Sequence, residues 1–264
     1  MTEPVRVEHW DSTTIVTINR PARRNAVDLN TAQALITAFQ RFDADPSSHV
    51  AVLTGAGDAF CSGSDLVAVA AGERKPLLPD GTFAPIGPVR LDLGKPVIAA
   101  IEGAAVGGGA ELAAWCDLRV AGRSAFFGMY NRRFGVPSCD LGSIRLPRLI
   151  GYGRAMDLML TGRRVDADEA LQIGLINRLV DDGSALDIAV ELAEQIAQFP
   201  QIALRNDRRA LIDNNRLERP KAIAREIELA LSTIESGELL DGAIAFADGA
   251  GRHGNQGSGA YTNH

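Results

Sequence analysis

A mixed α/β (α+β) fold, with a strand-rich first half and an α-helical region at the C-terminal end, is predicted by three features of this 264-residue sequence. Short apolar or alternating runs at 5–9, 13–18, 50–53 and 96–101 read as strands. Two small-residue turns, Gly63-Ser64-Asp65-Leu66 and Gly109-Ala110-Glu111-Leu112, carry the same order of glycine, small residue, acid and leucine, and each leads from a strand into a helix. From Arg154 onward apolar residues recur three and four apart, the spacing of amphipathic helices. The two regimes meet near residue 195, which divides a core of residues 1–195 from a helical region of residues 196–264.

In chain order, the alternating segments 5–9 and 13–18 flank Asp11-Ser12 and predict a β-hairpin. The loop Asn19-Arg20-Pro21-Ala22-Arg23-Arg24-Asn25-Ala26 gathers three arginines, which serve either as solvated surface or as phosphate contacts. Ala34, Leu35, Ala38, Phe39 and Phe42 predict an amphipathic helix over 31–42, ending before Asp45-Pro46. A buried strand at 50–53 leads through the Gly63-Ser64 turn to a short helix at 67–71. Residues 72–93, rich in Pro, Gly and Lys and without periodicity, are expected to be a mobile loop or partly ordered lid bordering a ligand entrance. The apolar run 96–101 is expected to turn sharply into the helix carrying Glu111. Short strands at 117–121 and 125–128 precede an irregular segment with Asn131, Pro137 and Asp140. Helices follow at 154–161, 166–173, 186–199, 205–214, 221–236 and 238–247, with a strand-like stretch at 175–180 and a frayed tail from Gly249.

Composition narrows the chemistry. No apolar run approaches the roughly 18 residues that span a bilayer, and the first residues lack the pattern of a secretory leader, so a cytoplasmic protein with no membrane partner is expected. Cys61, Cys116 and Cys139 are far apart and lack metal-site spacing, so neither a disulfide framework nor a metal site is predicted. A net charge of −6 argues against nucleic acid as a partner. The four histidines, His9, His49, His253 and His264, fall at strand edges, in a loop and in the tail, which makes a Ser-His-Asp hydrolase hard to assemble. Gly107-Gly108-Gly109 lacks the spacing of a dinucleotide fingerprint. What remains is a pair of turns able to present main-chain N–H donors, with carboxylates nearby. Such donors stabilise negative charge as it collects on a thioester oxygen, while a carboxyl group at the first turn of the helix moves the proton.

Four segments, Ala59-Phe60-Cys61-Ser62-Gly63-Ser64-Asp65-Leu66, Lys95-Pro96-Val97-Ile98-Ala99-Ala100, Gly107-Gly108-Gly109-Ala110-Glu111-Leu112 and Arg145-Leu146-Pro147-Arg148-Leu149-Ile150-Gly151, resemble the enoyl-CoA hydratase/isomerase (crotonase) superfamily. Leu160-Thr161-Gly162-Arg163, Ala167-Asp168-Glu169-Ala170 and Gly174-Leu175-Ile176 continue the resemblance, which runs in order over residues 5 to 250. It implies a spiral of repeated ββα units, a C-terminal helical trimerisation region and acyl-CoA substrates, with coenzyme A arriving as part of the thioester and no permanently bound cofactor. A homotrimer or a hexamer built as a dimer of trimers is implied as well.

Carried over by position, the resemblance implies an oxyanion hole from the N–H groups of Ser64 and Gly108, and Glu111 as the first catalytic glutamate. CoA and substrate contacts are implied at Arg24, Ala26, Ser62, Asp65, Leu66, Gly107 and Asn131. Phe246 and Arg252 stand where relatives often have an aromatic and a basic residue that complete a neighbouring subunit's CoA pocket. One position departs from the hydratase pattern. Asn131 stands where a second catalytic glutamate belongs, and an amide exchanges no proton at neutral pH. Asp140 is the candidate replacement; the alternative is a local pairing of Asp140 with Arg132, Arg133 or Arg145. Hydratase/isomerase-like lyase chemistry is the leading expectation. Acyl-CoA hydrolysis or decarboxylation, or a catalytically weak acyl-CoA-binding paralogue, are the alternatives.

Overall fold

The computed structural model describes residues 3–78, 81 and 83–251, so the expectations for Arg252, His253, His264 and the end of the tail lie outside the described residues. The predicted hairpin forms from β1 (Val5–Trp10) and β2 (Thr13–Ile18), paired antiparallel. α1 (Leu29–Ala44) begins two residues before the expected start at 31, because the Asp28 carboxylate accepts the Thr31 N–H at 2.8 Å and caps it. Leu35, Ala38, Phe39 and Phe42 form its buried face.

β3 (Val50–Gly55) leads to the short α2 (Leu66–Ala70), and β4 (Val97–Ile101) to β5 (Ala104–Val106) and α3 (Gly108–Trp115). β6 (Leu118–Gly122), β7 (Phe126–Gly128), α4 (Gly142–Ile150), α5 (Tyr152–Thr161), β8 (Val165–Asp166), α6 (Ala167–Gln172), β9 (Arg178–Val180) and α7 (Ala185–Ala197) follow. A six-stranded sheet has the order β1-β2-β3-β4-β6-β9, parallel from β2 onward, and a second sheet has the order β5-β7-β8. β4 is buried along its whole length, which is why it reads as a continuous apolar run, and β2 is buried as fully although three of its six residues are threonines.

The two sheets are laid down together. After β3 the chain touches the edge of the small sheet through bridges from Ala59 to Gly103 and from Cys61 to Ala105, then enters α2. After β4 it forms β5 and then α3; after β6 it forms β7 and a 3-10 turn at Tyr130–Phe134. Each round therefore leaves one segment in each sheet. Because 59–61, β5 and β7 are neighbours in the small sheet, the residues just beyond them, Ser64, Gly108 and Asn131, are brought together from positions far apart in sequence.

Two expectations are corrected, and one helix is added. The helix carrying Glu111 does not follow the buried run 96–101 directly, since β5, only three residues long, intervenes and belongs to the other sheet. α4 is masked in the sequence by Pro147, which lies inside the helix and normally disfavours one. Within 72–93 the described part is not uniformly a surface loop: Ala84, Ile86, Val89 and Leu93 are buried in the core, and Pro88–Arg90 is a 3-10 turn.

The chain separates into two compact units after Glu194. The second contains α8 (Gln201–Asn214), α9 (Arg219–Glu235) and α10 (Glu238–Ala247). The Asn206 amide of α8 donates to the Leu229 carbonyl and to Thr233 Oγ1 of α9, at 3.1 and 2.9 Å. Glu238 of α10 accepts the Ile202 and Ala203 N–H groups at 2.9 and 2.8 Å, satisfying donors that a helix start leaves open. No described helix is long and apolar enough to cross a membrane.

Candidate active site

Main-chain geometry at two turns sets the site. Val27 pairs with the Gly63-Ser64-Asp65 turn as a parallel bridge: its N–H donates to Gly63 O at 2.8 Å and its carbonyl accepts the Asp65 N–H at 3.0 Å. In such a bridge the central residue turns its own N–H to the opposite side, so Ser64 N–H is directed away from Val27. Gly108 is the first residue of α3, where a helix offers its N–H no internal partner. The two turns lie close enough that a Cβ on Gly63 would stand 2.8 Å from Gly108 N. Gly109 permits this approach, because a Cβ there would meet the Cys61 carbonyl oxygen at 2.0 Å.

A cavity of about 210 Å³ opens beside these N–H groups. Ser62, Ser64, Leu66, Gly107, Gly108, Glu111, Asn131 and Asp140 all line it, together with Val106 and with Tyr130, Phe134, Val136, Pro137 and Cys139. Of the residues expected at the site, Arg24, Ala26 and Asp65 are not among its walls. They lie next door, where Ser62 N–H donates to the Arg24 carbonyl at 3.0 Å.

Glu111 is 1% exposed, in the first turn of α3. A single carboxylate oxygen, Oε1, accepts Ser138 Oγ–H at 2.6 Å, Gly142 N–H at 2.8 Å and Asp140 N–H at 3.3 Å. Oε2 accepts nothing among the described residues, so one oxygen is held while the other is available. Burial pushes the Glu111 pKa up; the Ser138 hydrogen bond opposes the rise and the neighbouring Asp140 charge adds to it. Asp140, 3% exposed, accepts the Ile86 N–H on Oδ1 at 3.1 Å. Its pKa is also raised by burial, against the Ile86 N–H and the positive charges of Lys75 and Arg90.

Of the neighbouring arginines, Arg132 and Arg133 donate to the carbonyls of Met159 and Gly162, and Arg145 donates to the Asp140 main-chain carbonyl at 3.3 Å. Cys139, half-buried on the cavity wall, has its thiol pKa pushed up to about 12 by burial and then by the Asp140 charge, so it stays protonated and is a poor nucleophile.

The arginine cluster divides. Arg20 forms ion pairs with Asp28 and Asp65 at 2.8 and 2.9 Å, so it holds the loop together and is not a free phosphate contact. Asp65 caps α2 through the Val67 and Ala68 N–H groups, each at 3.1 Å. Burial resists its ionisation, but the Ala68 N–H, Arg20 and the Val67 N–H outweigh that resistance and hold its pKa below the ordinary value. Its carboxylate is thus committed within the protein. Arg23 and Arg24 remain exposed, with Arg24 and Asn25 in the left-handed region at φ 48° and 55°. The Asn25 amide fixes that strained turn by donating to the carbonyls of Ala56 and Ala59 at 2.9 and 2.6 Å.

Ser138, Ile86 and Gly142 carry no signal in the sequence. Each reaches a carboxylate from a distant part of the chain, and no short motif records such contacts. Gly142 has the sharpest consequence, since a Cβ there would lie 2.6 Å from Glu111 Cγ and Oε1. Gly142→Ala is therefore expected to displace the Glu111 carboxylate and to lower kcat by about 10²-fold, the cost of a misplacement on the order of 1 Å. Thermal unfolding and steady-state kinetics on one preparation check this, and an unchanged kcat contradicts the placement of Glu111.

Sequence and structure comparisons bear on the family and the fold. Residues 8–252 match the model of the enoyl-CoA hydratase/isomerase family. The enoyl-CoA hydratase EchA19 of Mycobacterium tuberculosis is 37% identical over 249 residues, covering 92% of each chain. A carnitinyl-CoA dehydratase of Salmonella arizonae is 36% identical over 261 residues, covering 94% of this chain and 97% of the relative. The crystal structure of the enoyl-CoA hydratase EchA1 from Mycobacterium marinum superposes with a TM-score of 0.88 at 38% identity, covering 94% of this chain and 96% of that one. The mixed α/β core and helical C-terminal region expected from the sequence are the architecture of these crotonase structures. A match along nearly the whole chain, joined to two facing main-chain turns and a buried glutamate at the first turn of α3, places this protein in the enoyl-CoA hydratase/isomerase family.

Proposed function

We propose that this acyl-CoA-processing enzyme catalyses the reversible addition of water to an enoyl-CoA thioester, with Glu111 and Asp140 as its acid–base pair. The observation that carries the reading is the way Glu111 is held: three donors fix Oε1, and Oε2 is left on the wall of a cavity that also exposes Gly108. In the hydration direction the Asp140 carboxylate accepts a proton from water as the water oxygen bonds to the β-carbon. The electrons of the carbon–carbon double bond shift toward the thioester, and the charge collecting on its oxygen is stabilised by the Ser64 and Gly108 N–H groups. Protonated Glu111 then delivers its proton to the α-carbon. Two buried carboxyls with raised pKa values suit this division, since the negative charge of one favours the protonated form of the other.

Hydration of crotonyl-CoA tests the reading. Asp140→Asn is expected to lower kcat by about 10²–10⁴-fold, the range for loss of a positioned proton-transfer group. A kcat within a factor of about two of the original sinks the role given to Asp140. If a broad panel of thioesters binds but none turns over, the alternative of an acyl-CoA-binding protein replaces the reading.

CoA itself contributes the substrate's phosphates and adenine, for which the exposed Arg23 and Arg24, with Ala26, Ser62, Asp65 and Leu66 beside them, supply the adjacent segment. Self-association into a trimer or a hexamer is part of the proposal. It is supported by Ile223, Ile227, Leu231 and Ile234, which recur along α9 with at least half of their surface exposed. Phe246 on α10 is 62% exposed as well, as a residue reaching toward a neighbouring subunit requires. We assign the enzyme to the cytoplasm on the same footing.

A further inference from the structure

Lys75 follows α2 and is half-buried, and its ammonium is spent on main-chain oxygens. Nζ donates to the Val27 carbonyl at 2.6 Å and to the Pro85 carbonyl at 2.8 Å. The two acceptors differ in how they are held. Val27 is anchored by its bridge to the Gly63-Ser64-Asp65 turn, where its carbonyl also accepts the Asp65 N–H at 3.0 Å. The Pro85 carbonyl belongs to the same peptide unit as the Ile86 N–H, which donates to Asp140 Oδ1 at 3.1 Å. A trans peptide unit is planar and directs its oxygen and its N–H in opposite directions, and the described residues contain no cis bond. Whatever grips the oxygen therefore aims the N–H. A positive charge on the oxygen also polarises the unit and strengthens the N–H as a donor.

We infer that Lys75 is a positioning residue for Asp140: tethered to Val27, it grips the Pro85 oxygen and so aims the Ile86 N–H that sets the proton-accepting carboxylate. This inference rests on the reading of Asp140 as the base. Lys75 does not line the cavity, so it acts through Asp140 and not on the ligand. Charge works in the same sense as geometry. The titratable and charged groups around Asp140 are Glu111 of α3, Cys61 in the turn after β3, Lys75 and Arg90, the adjacent Cys139, and Arg145 of α4, which donates to its main-chain oxygen. Burial raises the Asp140 pKa, and the influences that oppose it most are the Ile86 N–H and then the Lys75 charge. Both run through Lys75. Burial lowers the Lys75 pKa, while the charges of Glu73, Asp140 and Asp28 support its ammonium form.

Steady-state hydration of crotonyl-CoA by Lys75→Met, alone and combined with Asp140→Asn, tests the inference, with kcat/KM followed against pH. Methionine keeps an unbranched stem and removes the charge and the donors. The substitution is expected to lower kcat by about 10²-fold, the cost of a misplacement on the order of 1 Å. Asp140 must be ionised to take a proton, so activity rises with pH through the acidic limb of the profile, and loss of a positive charge moves that limb to higher pH. In Asp140→Asn the same substitution is expected to change kcat by less than about twofold, because a residue acting through another has nothing left to position. An unchanged kcat or an unmoved acidic limb in Lys75→Met, or an equal loss with and without the Asp140 carboxylate, overturns the inference and leaves the role of Asp140 standing. A kcat unaffected by Asp140→Asn overturns both. Should Lys75→Met unfold the chain, Lys75→Gln, which keeps an N–H donor without the charge, is measured in its place; its acidic limb is expected at higher pH, and an unmoved limb is contradictory.

Discussion

Glu111→Gln is expected to lower kcat for crotonyl-CoA hydration by about 10²–10⁴-fold while leaving the fold at least as stable at neutral pH. The loss follows from chemistry, since the amide keeps an oxygen for Ser138, Gly142 and Asp140 but has no proton to give at the α-carbon. Stability behaves differently because burial and the Asp140 charge raise the Glu111 pKa in the folded protein. A carboxyl with a raised folded-state pKa binds its proton more tightly when folded, so the stability it contributes is fully present at pH below its unfolded pKa. That contribution is lost as pH rises through the folded value, where ionisation of the buried group disfavours the fold. Glutamine removes this loss. The Tm of the variant relative to the original protein should therefore increase with pH, and a relative Tm that falls with pH would contradict the electrostatic description of the pocket. Loss of activity with gain of stability is the signature expected of a strained functional site.

Removing the Gly108 N–H is expected to cost about 10²–10³-fold in kcat, the penalty for one lost oxyanion donor. Proline does this with little damage to α3, because the first helical position tolerates a residue without an N–H and proline's φ suits it. Space is the difficulty: a Cβ at 108 would meet Ile86 Cδ1 at 2.4 Å. The comparison is therefore made in an Ile86→Ala background, between Gly108→Pro and Gly108→Ala. Both add a Cβ and only one removes the donor, so the ratio of their kcat values isolates the N–H. A ratio near one means that this N–H does not face the developing charge.

Most of the fold and half of the site are legible in the amino-acid order alone, and the remainder is hidden for physical reasons. Local periodicity identifies the hairpin, α1 and the C-terminal helices because their signals lie within a few residues of one another. β5 gives no such signal because a three-residue strand has no period to detect, and α4 gives none because Pro147 masks its pattern. At the site, the glycine turns and Glu111 are legible from small residues at a strand-to-helix junction. The partners of Glu111 are not, because Ser138 and Gly142 reach it from 27 and 31 residues away. The basic loop is only half legible. Its sequence places three arginines together, whereas the fold commits Arg20 to Asp28 and Asp65 and leaves Arg23 and Arg24 exposed. Asn131 is recognisable as a departure from the hydratase pattern, but the lack of partners around its buried amide is visible only in three dimensions.

The central claim is that the turns at Ser64 and Gly108 jointly hold a thioester oxygen beside Glu111. A crystal structure of the complex with butyryl-CoA tests this most directly. The account predicts the thioester oxygen within about 2.7–3.1 Å of both the Ser64 and Gly108 nitrogens, with the α-carbon next to Glu111 Oε2. A bound thioester whose oxygen points away from both nitrogens, with CoA well ordered, would contradict it.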